Sequence, residues 1–391
     1  MNATPPVRRL WLAVLCGYLA LGATLQALPA YVPARFGGGA VASGTAVGIA
    51  FLATACGRPF AGWLADSGRS RPVVMIGGAL TALGGIGHLL APNLPMLLLA
   101  RLVMGAGEAA LFSGALPWVL AASPADRRGR IAGWFGLSMW GGLAAGPVLA
   151  TLLAVGGLSR VWYAVVALAF LSMVLVFTTR GTQQSARALA RLRDIVPTGV
   201  ALPGLALGLA AYGYGTIAAL LVLHLRADRI GVDGYALTVF AGSFLATRFA
   251  GSPAVDRYGG RRVAAASVSV EVVALLIVAF AGGPVLALAG TALAGVGLGL
   301  IYPACAAMTL HRVRGRQPGV SMGVMTSFWD LGVLVAGPVG GLIAASAGYR
   351  PAFCLAAAAG GCCVAVVLAF IRTENSASPV EKIEIGSGNV R

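Results

Sequence analysis

Three carboxylates and three arginines stand inside long apolar runs of this chain: Glu108, Glu271 and Asp330, and Arg58, Arg101 and Arg248. A charge at the centre of a membrane helix costs roughly 2.5–3.5 kcal/mol on the insertion scale, so a chain keeps such groups where they have a use or a partner. A carboxylate so placed can take up and release a proton or a cation, and a neighbouring arginine tunes how readily it does so. Arg101 and Glu108 lie seven residues apart, which is two helical turns. Both therefore face the same way, about 10 Å apart along the axis, too far for a direct bond without bending or water. One reading is a proton-responsive pair, with Glu108 taking a proton or a cationic substrate. The plainer one is a buried pair that fixes its helix. Asp330, beside Trp329, is a second candidate for protonation or cation binding, or else a partner for an arginine or a backbone group. Glu271 reads as a helix–helix hydrogen bond.

The elements that must hold these groups are membrane helices. Of the 391 residues, 58% are hydrophobic and only 10% charged. Mean hydropathy is +0.87. A soluble domain carries about 25% charged residues, so a soluble enzyme is excluded. Apolar runs occupy residues 10–34, 43–65, 71–91, 94–122, 130–156 and 160–179, then 198–225, 233–255, 262–282, 284–310, 318–347 and 350–371. About 20 apolar residues cross a bilayer core of about 30 Å. The spacing predicts an all-α integral membrane protein of twelve transmembrane helices in two six-helix pseudo-symmetric halves. The halves are residues 1–180 and 198–372, with a basic linker at 181–197 and a polar, disordered tail at 373–391.

The net charge of +16 sits in short loops, where membrane topology explains it and nucleic acid is not needed. With the N-terminus placed in the cytoplasm, 20 of the 28 basic residues fall on the cytoplasmic side and five on the outer side. This bias predicts a multi-pass protein of the inner (cytoplasmic) membrane with both termini cytoplasmic. The six cysteines lack metal-ligand spacing and read as small packing residues. No Walker lysine motif and no Ser-His-Asp array is present, so neither ATP hydrolysis, a cofactor, a metal nor an enzymatic reaction is expected.

Shifted by 190 residues, the halves match. Arg58 to Asp66 reads RPFAGWLAD and Arg248 to Asp256 reads RFAGSPAVD, each with Arg eight residues before Asp. Gly105 and Gly107 map onto Gly295 and Gly297. A duplicated half builds a cavity between two bodies that can rock about a central site. Asp66 and Asp256, with Arg69 and the neighbouring basic turns, are the expected gating charges, and Arg58 and Arg248 are expected to snorkel or to pair with these aspartates.

These residues resemble the major facilitator superfamily over about residues 10–372. Gly62–Arg71 is similar to its motif A, one residue short between Asp66 and Gly68, while Asp256-Arg257-Tyr258-Gly259 keeps the spacing. Arg101–Gly107 resembles motif B. Gly142, Gly146 and Pro147 resemble motif C, which is associated with antiporters. Leu28-Pro29 and Gly213–Ile217 are similar to the drug:proton antiporter, arabinose-efflux-like subgroup. The resemblance implies that the fourth and eleventh helices line the cavity, which brings Glu108, Arg101 and Asp330 to it. Close packing or a kink at the domain interface is expected of Gly142, Gly146 and Pro147. Gln26, Tyr18, Tyr31, Tyr212, Tyr214, Trp140 and Trp329 are candidate cavity liners; a helix-packing or interface-belt role is the alternative for each. The expected function is secondary active export of drug-like or natural-product small molecules by proton antiport, by a monomer in the lipid bilayer. A narrow exporter of a sugar, metallophore or metabolite, an uptake symporter, and a membrane sensor or scaffold are the alternatives the sequence leaves open.

Overall fold

The computed structural model describes residues 6–123, 128–179, 199–313 and 318–376. The linker at 181–197 lies outside the described residues, as does most of the tail. Among the described residues the regular structure is helical, because a bilayer core has no water to satisfy an exposed backbone and a helix satisfies its own. The first set is α1 (Val7–Phe36), α2 (Ala40–Leu64), α3 (Ser70–Leu90), α4 (Leu94–Ala121), α5 (Arg128–Ala154) and α6 (Leu158–Phe177). The second is α7 (Ala201–Ala227), α8 (Asp233–Tyr258), α9 (Gly260–Ala279), α10 (Pro284–Gly299), α11 (Ile301–Arg312), α12 (Pro318–Ala347) and α13 (Tyr349–Ser376). The tenth apolar run is not one continuous helix. It breaks at Leu300, just after Gly299, into α10 and α11, which together make one crossing. α13 continues past Arg372 to Ser376.

Outward faces carry Ile76, Leu83, Phe170, Phe249 and Leu342, all exposed, as a lipid-facing surface requires. Polar and charged groups turn inward. Cys16, Cys305 and Cys363 are buried packing residues as expected; Cys56 and Cys362 instead lie on the exposed surface. Helices α2 and α3 are joined by the tight turn Ala65–Arg69, in which Gly68 takes a left-handed φ of 86°. The matching turn between α8 and α9 uses Gly259 at φ 82°. Glycine meets that requirement without strain. The α2–α3 and α8–α9 turns, the start of α1 and the end of α11 lie at one end of the bundle, the arginine-rich end.

The two sets meet along two seams, α2 against α12 and α5 against α8. The first is much the tighter, and its sequence explains why. A Cβ on Gly44 would collide with the backbone of Gly337, and one on Gly337 with that of Gly44. Gly48 lies against Leu334, Gly341 against Ala40, and Gly323 against Arg58. Small residues let the two backbones touch over most of their length.

Gly44→Leu should hold α2 and α12 apart and destabilise the protein by about 1–3 kcal/mol, the usual cost of overpacking. Gly242→Leu, where a side chain meets open space, should change little. Melting curves of the purified variants in detergent check this; equal melting temperatures would contradict the close seam.

Candidate functional site

A buried ion pair joins the two seam helices. Asp330, about 18 Å into α12, takes Arg58 Nε on Oδ2 at 2.5 Å and Arg58 Nη2 on Oδ1 at 3.4 Å. Arg58 Nη2 also donates to the Tyr18 hydroxyl at 3.2 Å, and that hydroxyl donates to the main-chain carbonyl of Glu108 at 3.3 Å. Ser327 Oγ crosses the same seam to the Ala55 carbonyl at 2.8 Å. Arg58 and Asp330 are both almost wholly inaccessible. The expected pairing of Arg58 with Asp66 is therefore not the one the fold makes. Arg58 lies two turns deeper than Asp66 and reaches the opposite half.

Arg248 behaves likewise. Its guanidinium carbon stands 5.3 Å from the ring centroid of Trp140 on α5 and 5.3 Å from that of Tyr302 on α11, rather than at Asp256. Asp256 is exposed at the end of α8. Both arginines of the repeat thus reach across the interface. Residues 58 and 248 differ by 190, and so do their partners' positions, Trp140 and Asp330. One crossing contact is an ion pair, the other a cation on an aromatic face.

Arg101 does not bond Glu108. Its three donor nitrogens are taken by the Ala46 carbonyl at 2.9 Å, Thr24 Oγ1 at 3.0 Å and the Val47 carbonyl at 3.0 Å. It ties α4 to α1 and α2 within one half. Glu108 is fully buried and neither carboxylate oxygen has a hydrogen-bond partner. Glu271, expected as a helix–helix hydrogen bond, is also fully buried without one.

Aromatic rings complete a septum across the middle of the bundle. Trp140 stands edge-on to Trp329 at 4.9 Å, and Trp329 lies 5.2 Å from Tyr214. Trp140 also meets Tyr302 at 5.0 Å and Phe244 at 5.7 Å. A cleft of about 20 Å³ lies on the far side, between Leu25, Trp140, Pro147, Tyr214, Phe240 and Phe244. A second cleft of about 20 Å³ lies on the arginine-rich side, between Arg58, Ser113, Pro117, Met322 and Thr326. Each holds about one water. An organic ligand needs a site of about 300–1,000 Å³, so the halves must part to admit one.

Of the proposed liners, Tyr214, Trp140 and Trp329 come together here. Tyr31 packs instead on Trp162 and Phe36 inside one half. Tyr212 and Gln26, one turn or less from cleft residues, are outside both clefts. Gly142 and Gly146 face α1, at Leu15–Tyr18 and Gly22–Ala23, so their close packing is within one half and not at the interface expected of them. Pro147 does line the cleft between the halves. Tyr302, Phe240 and Phe244 were not singled out by sequence. Tyr302 lies 190 positions after Phe112, which packs on Tyr18 in the first half; by residue type alone neither differs from other membrane aromatics.

The bundle is closed at both ends. At the far end Thr151 Oγ1 meets the Gly234 carbonyl at 3.4 Å. At the arginine-rich end Asp66 Oδ2 accepts the Val320 N–H at 3.0 Å, joining the α2–α3 turn to the start of α12. Arg69 donates to Ser67 Oγ within that turn. Burial pushes the Asp66 carboxyl up to about 6, although the Val320 N–H pulls the other way.

Residues 10–202 and 203–388 each match the Major Facilitator Superfamily. An uncharacterized MFS-type transporter of Escherichia coli K12, YhhS, is 32% identical over 87% of this chain and 86% of its own length. One from Salmonella typhimurium, STM4428, is 31% identical over 93% and 96%. Among solved structures, the human organic anion transporter MFSD10 superposes with a TM-score of 0.73 at 17% identity, covering 93% of this chain and all of its own. The nucleoside transporter NupG gives 0.70 at 14% identity, covering 94% and 98%.

Arg101→Met, which removes three charge-assisted hydrogen bonds tying α4 to α1 and α2, should cost about 3 kcal/mol or more of stability, whereas Glu108→Gln should leave the melting temperature nearly unchanged; equal losses would refute the distinction. For Asp66, a solvated carboxyl titrates near 3.9 and the closed one near 6. Closure is then fully favoured below about 4 and weakens as pH rises through about 6. Met322→Cys, in a background without Cys56 and Cys362, should label faster as pH rises across that window, and Asp66→Asn should abolish the step.

Proposed function

The chain belongs to the Major Facilitator Superfamily, and on that footing we propose that it exports drug-like or natural-product organic molecules across the cytoplasmic membrane in exchange for protons. In this reading the arginine-rich end and both termini face the cytoplasm, and a single chain suffices. The observation that carries it is the buried Arg58–Asp330 pair spanning the halves beside the unbonded Glu108 carboxyl.

A proton on Asp330 removes the negative charge that holds Arg58 across the seam. Losing one partner of a buried pair strands the other at a cost of about 3–5 kcal/mol. That cost favours a rearrangement in which Arg58 reaches water or substrate and the halves separate. Glu108, behind Tyr18, is the nearby group that can take up or pass on the proton. One charge moving through 100 mV is worth about 2.3 kcal/mol, and each pH unit adds about 1.4. Those sums are enough to drive a substrate outward against a substantial gradient.

The walls support the substrate class. Trp140, Tyr214, Phe240, Phe244 and Trp329 present flat apolar faces that accept many aromatic or aliphatic bodies. A sugar needs a dense set of hydrogen-bonding groups, which this cleft does not offer among the described residues.

The test is intracellular accumulation of chemically diverse fluorescent compounds in a host stripped of its own efflux pumps. The native protein should lower accumulation of several unrelated compounds several-fold. Asp330→Asn and Glu108→Gln should abolish the effect at matched expression. No change with the native protein would overturn multidrug export, and unimpaired variants would overturn proton coupling through this pair.

A further inference from the structure

Glu271 belongs to neither the septum nor the clefts. It sits on α9, wholly buried, and no donor reaches either carboxylate oxygen. Gly213 of α7 stands directly against Oε1, where a Cβ would collide with the carboxyl, and Gly297 of α10 packs on the Glu271 backbone. On α13 the buried Cys363 thiol donates to the Ala206 carbonyl of α7 at 3.1 Å, and the Cys305 thiol of α11 is buried as well. The ionisable groups of α8 are directed elsewhere: Arg248 to Trp140 and Tyr302, Arg257 over Tyr258, and Asp256 to the exposed surface. On α7, Tyr212 precedes the Gly213 contact, and the His224 ring bonds the Val278 carbonyl at 3.1 Å, two turns along α9; no positive charge among these groups balances an ionised Glu271.

The other half shows what this corner of the fold requires. The counterpart of Glu271, 190 positions earlier, is Thr81, and the counterpart of Gly297 is Gly107. A Cβ on Gly107 would collide with Thr81 just as one on Gly297 would with Glu271. Ser172 Oγ donates to the Ala13 carbonyl at 2.8 Å, and Cys363 Sγ, 191 positions on, donates to the Ala206 carbonyl, 193 positions on, at 3.1 Å. The same corner is therefore built with a hydroxyl. Packing does not call for an acid, and a lone acid inside a membrane bundle is costly.

A path leads toward it. A cavity of about 510 Å³ at the arginine-rich end lies among α7, α8, α9, α11 and α13, with Arg261, Arg262 and Arg312 in its wall. Its lining includes Ala206, whose carbonyl takes the Cys363 thiol, and Val366 and Val367, one turn from Cys363. The cavity thus ends about two helical turns short of Glu271, at Ala206 on α7 and Arg262 on α9.

We propose that Glu271 is a proton-exchange site separate from the septum, holding its proton in the closed form and exchanging it with the arginine-rich side through this cavity. On release the carboxyl O–H bond breaks, the proton passes to a water in the cavity, and the carboxylate that remains is hydrated. The contact with Gly213 lets that change reach Tyr214, the next residue of α7 and a wall of the septum. A low-dielectric surrounding accepts the neutral acid and rejects the lone carboxylate, so the proton leaves when α7 shifts and water enters.

Infrared difference spectra of the purified full-length protein, recorded from acid to alkaline pH, test this without any substrate, so the outcome is independent of the export reading. The native protein should show a protonated-carboxyl C=O band that fades with rising pH and shifts in D₂O. Glu271→Gln should lose that band, whereas Glu108→Gln and Asp330→Asn should retain it. Glu271→Thr, copying the other half, should fold with a near-native melting temperature and also lack the band. A spectrum unchanged by Glu271→Gln, or a band indifferent to both pH and D₂O, would overturn the proposal. So would failure of both variants to fold, since the acid would then be structural.

Discussion

The ion pair between Arg58 and Asp330 is the contact on which the closed bundle depends. It joins α2 to α12 in the middle of the membrane, where the attraction between charges is strong and the penalty for separating them is larger still. Tyr18 and the backbone of Glu108 extend it into the first half. The repeat makes a second crossing contact at the equivalent place, but there the partner is Trp140 and the bond is a cation over a ring. Such a contact is worth about 2 kcal/mol when desolvated, and it needs no counter-charge. The two seams are equivalent by descent of position and unequal in strength.

The glycines of the α2–α12 seam make the ion pair possible. Arg58 is long enough to cross only because the backbones around it already touch, at Gly44 with Gly337 and at Gly323 beneath Arg58 itself. The α5–α8 seam is held mainly by large rings, Trp140 against Phe244, and by the Thr151 contacts near its far end. Rings slide past one another with less loss than a buried ion pair suffers when it breaks. The aromatic seam is thus the natural wall of a binding cleft, and the glycine seam is its backbone.

The intramembrane charges divide by what surrounds them. Arg101 makes one hydrogen bond from each of its three nitrogens and serves as a tie between helices. Asp330 has a fixed partner whose release changes the interface. Glu108 and Glu271 have none bonded to their oxygens, and each is the kind of group whose charge depends on whether water can reach it. Burial alone would not have separated these roles; the hydrogen bonds do.

The membrane class, the helical architecture and the internal repeat were legible in the residues alone. Apolar run length and the scarcity of charge leave a helix as the only way to satisfy a backbone in lipid, and the 190-residue offset is visible without coordinates. The importance of Arg58, Glu108 and Asp330 was also legible, because a charge in an apolar run is improbable without a reason. Their partners were not. Sequence proximity pointed Arg58 to Asp66 and Arg101 to Glu108. The fold sends the first across the interface and occupies the second with carbonyls of α2. Tyr302 and Phe244 likewise look like ordinary membrane aromatics until α8 and α11 turn them onto Trp140. Helical periodicity states which way a side chain points from its own axis. Only the crossing of that axis with another, set here by which glycines let backbones touch, decides what it meets.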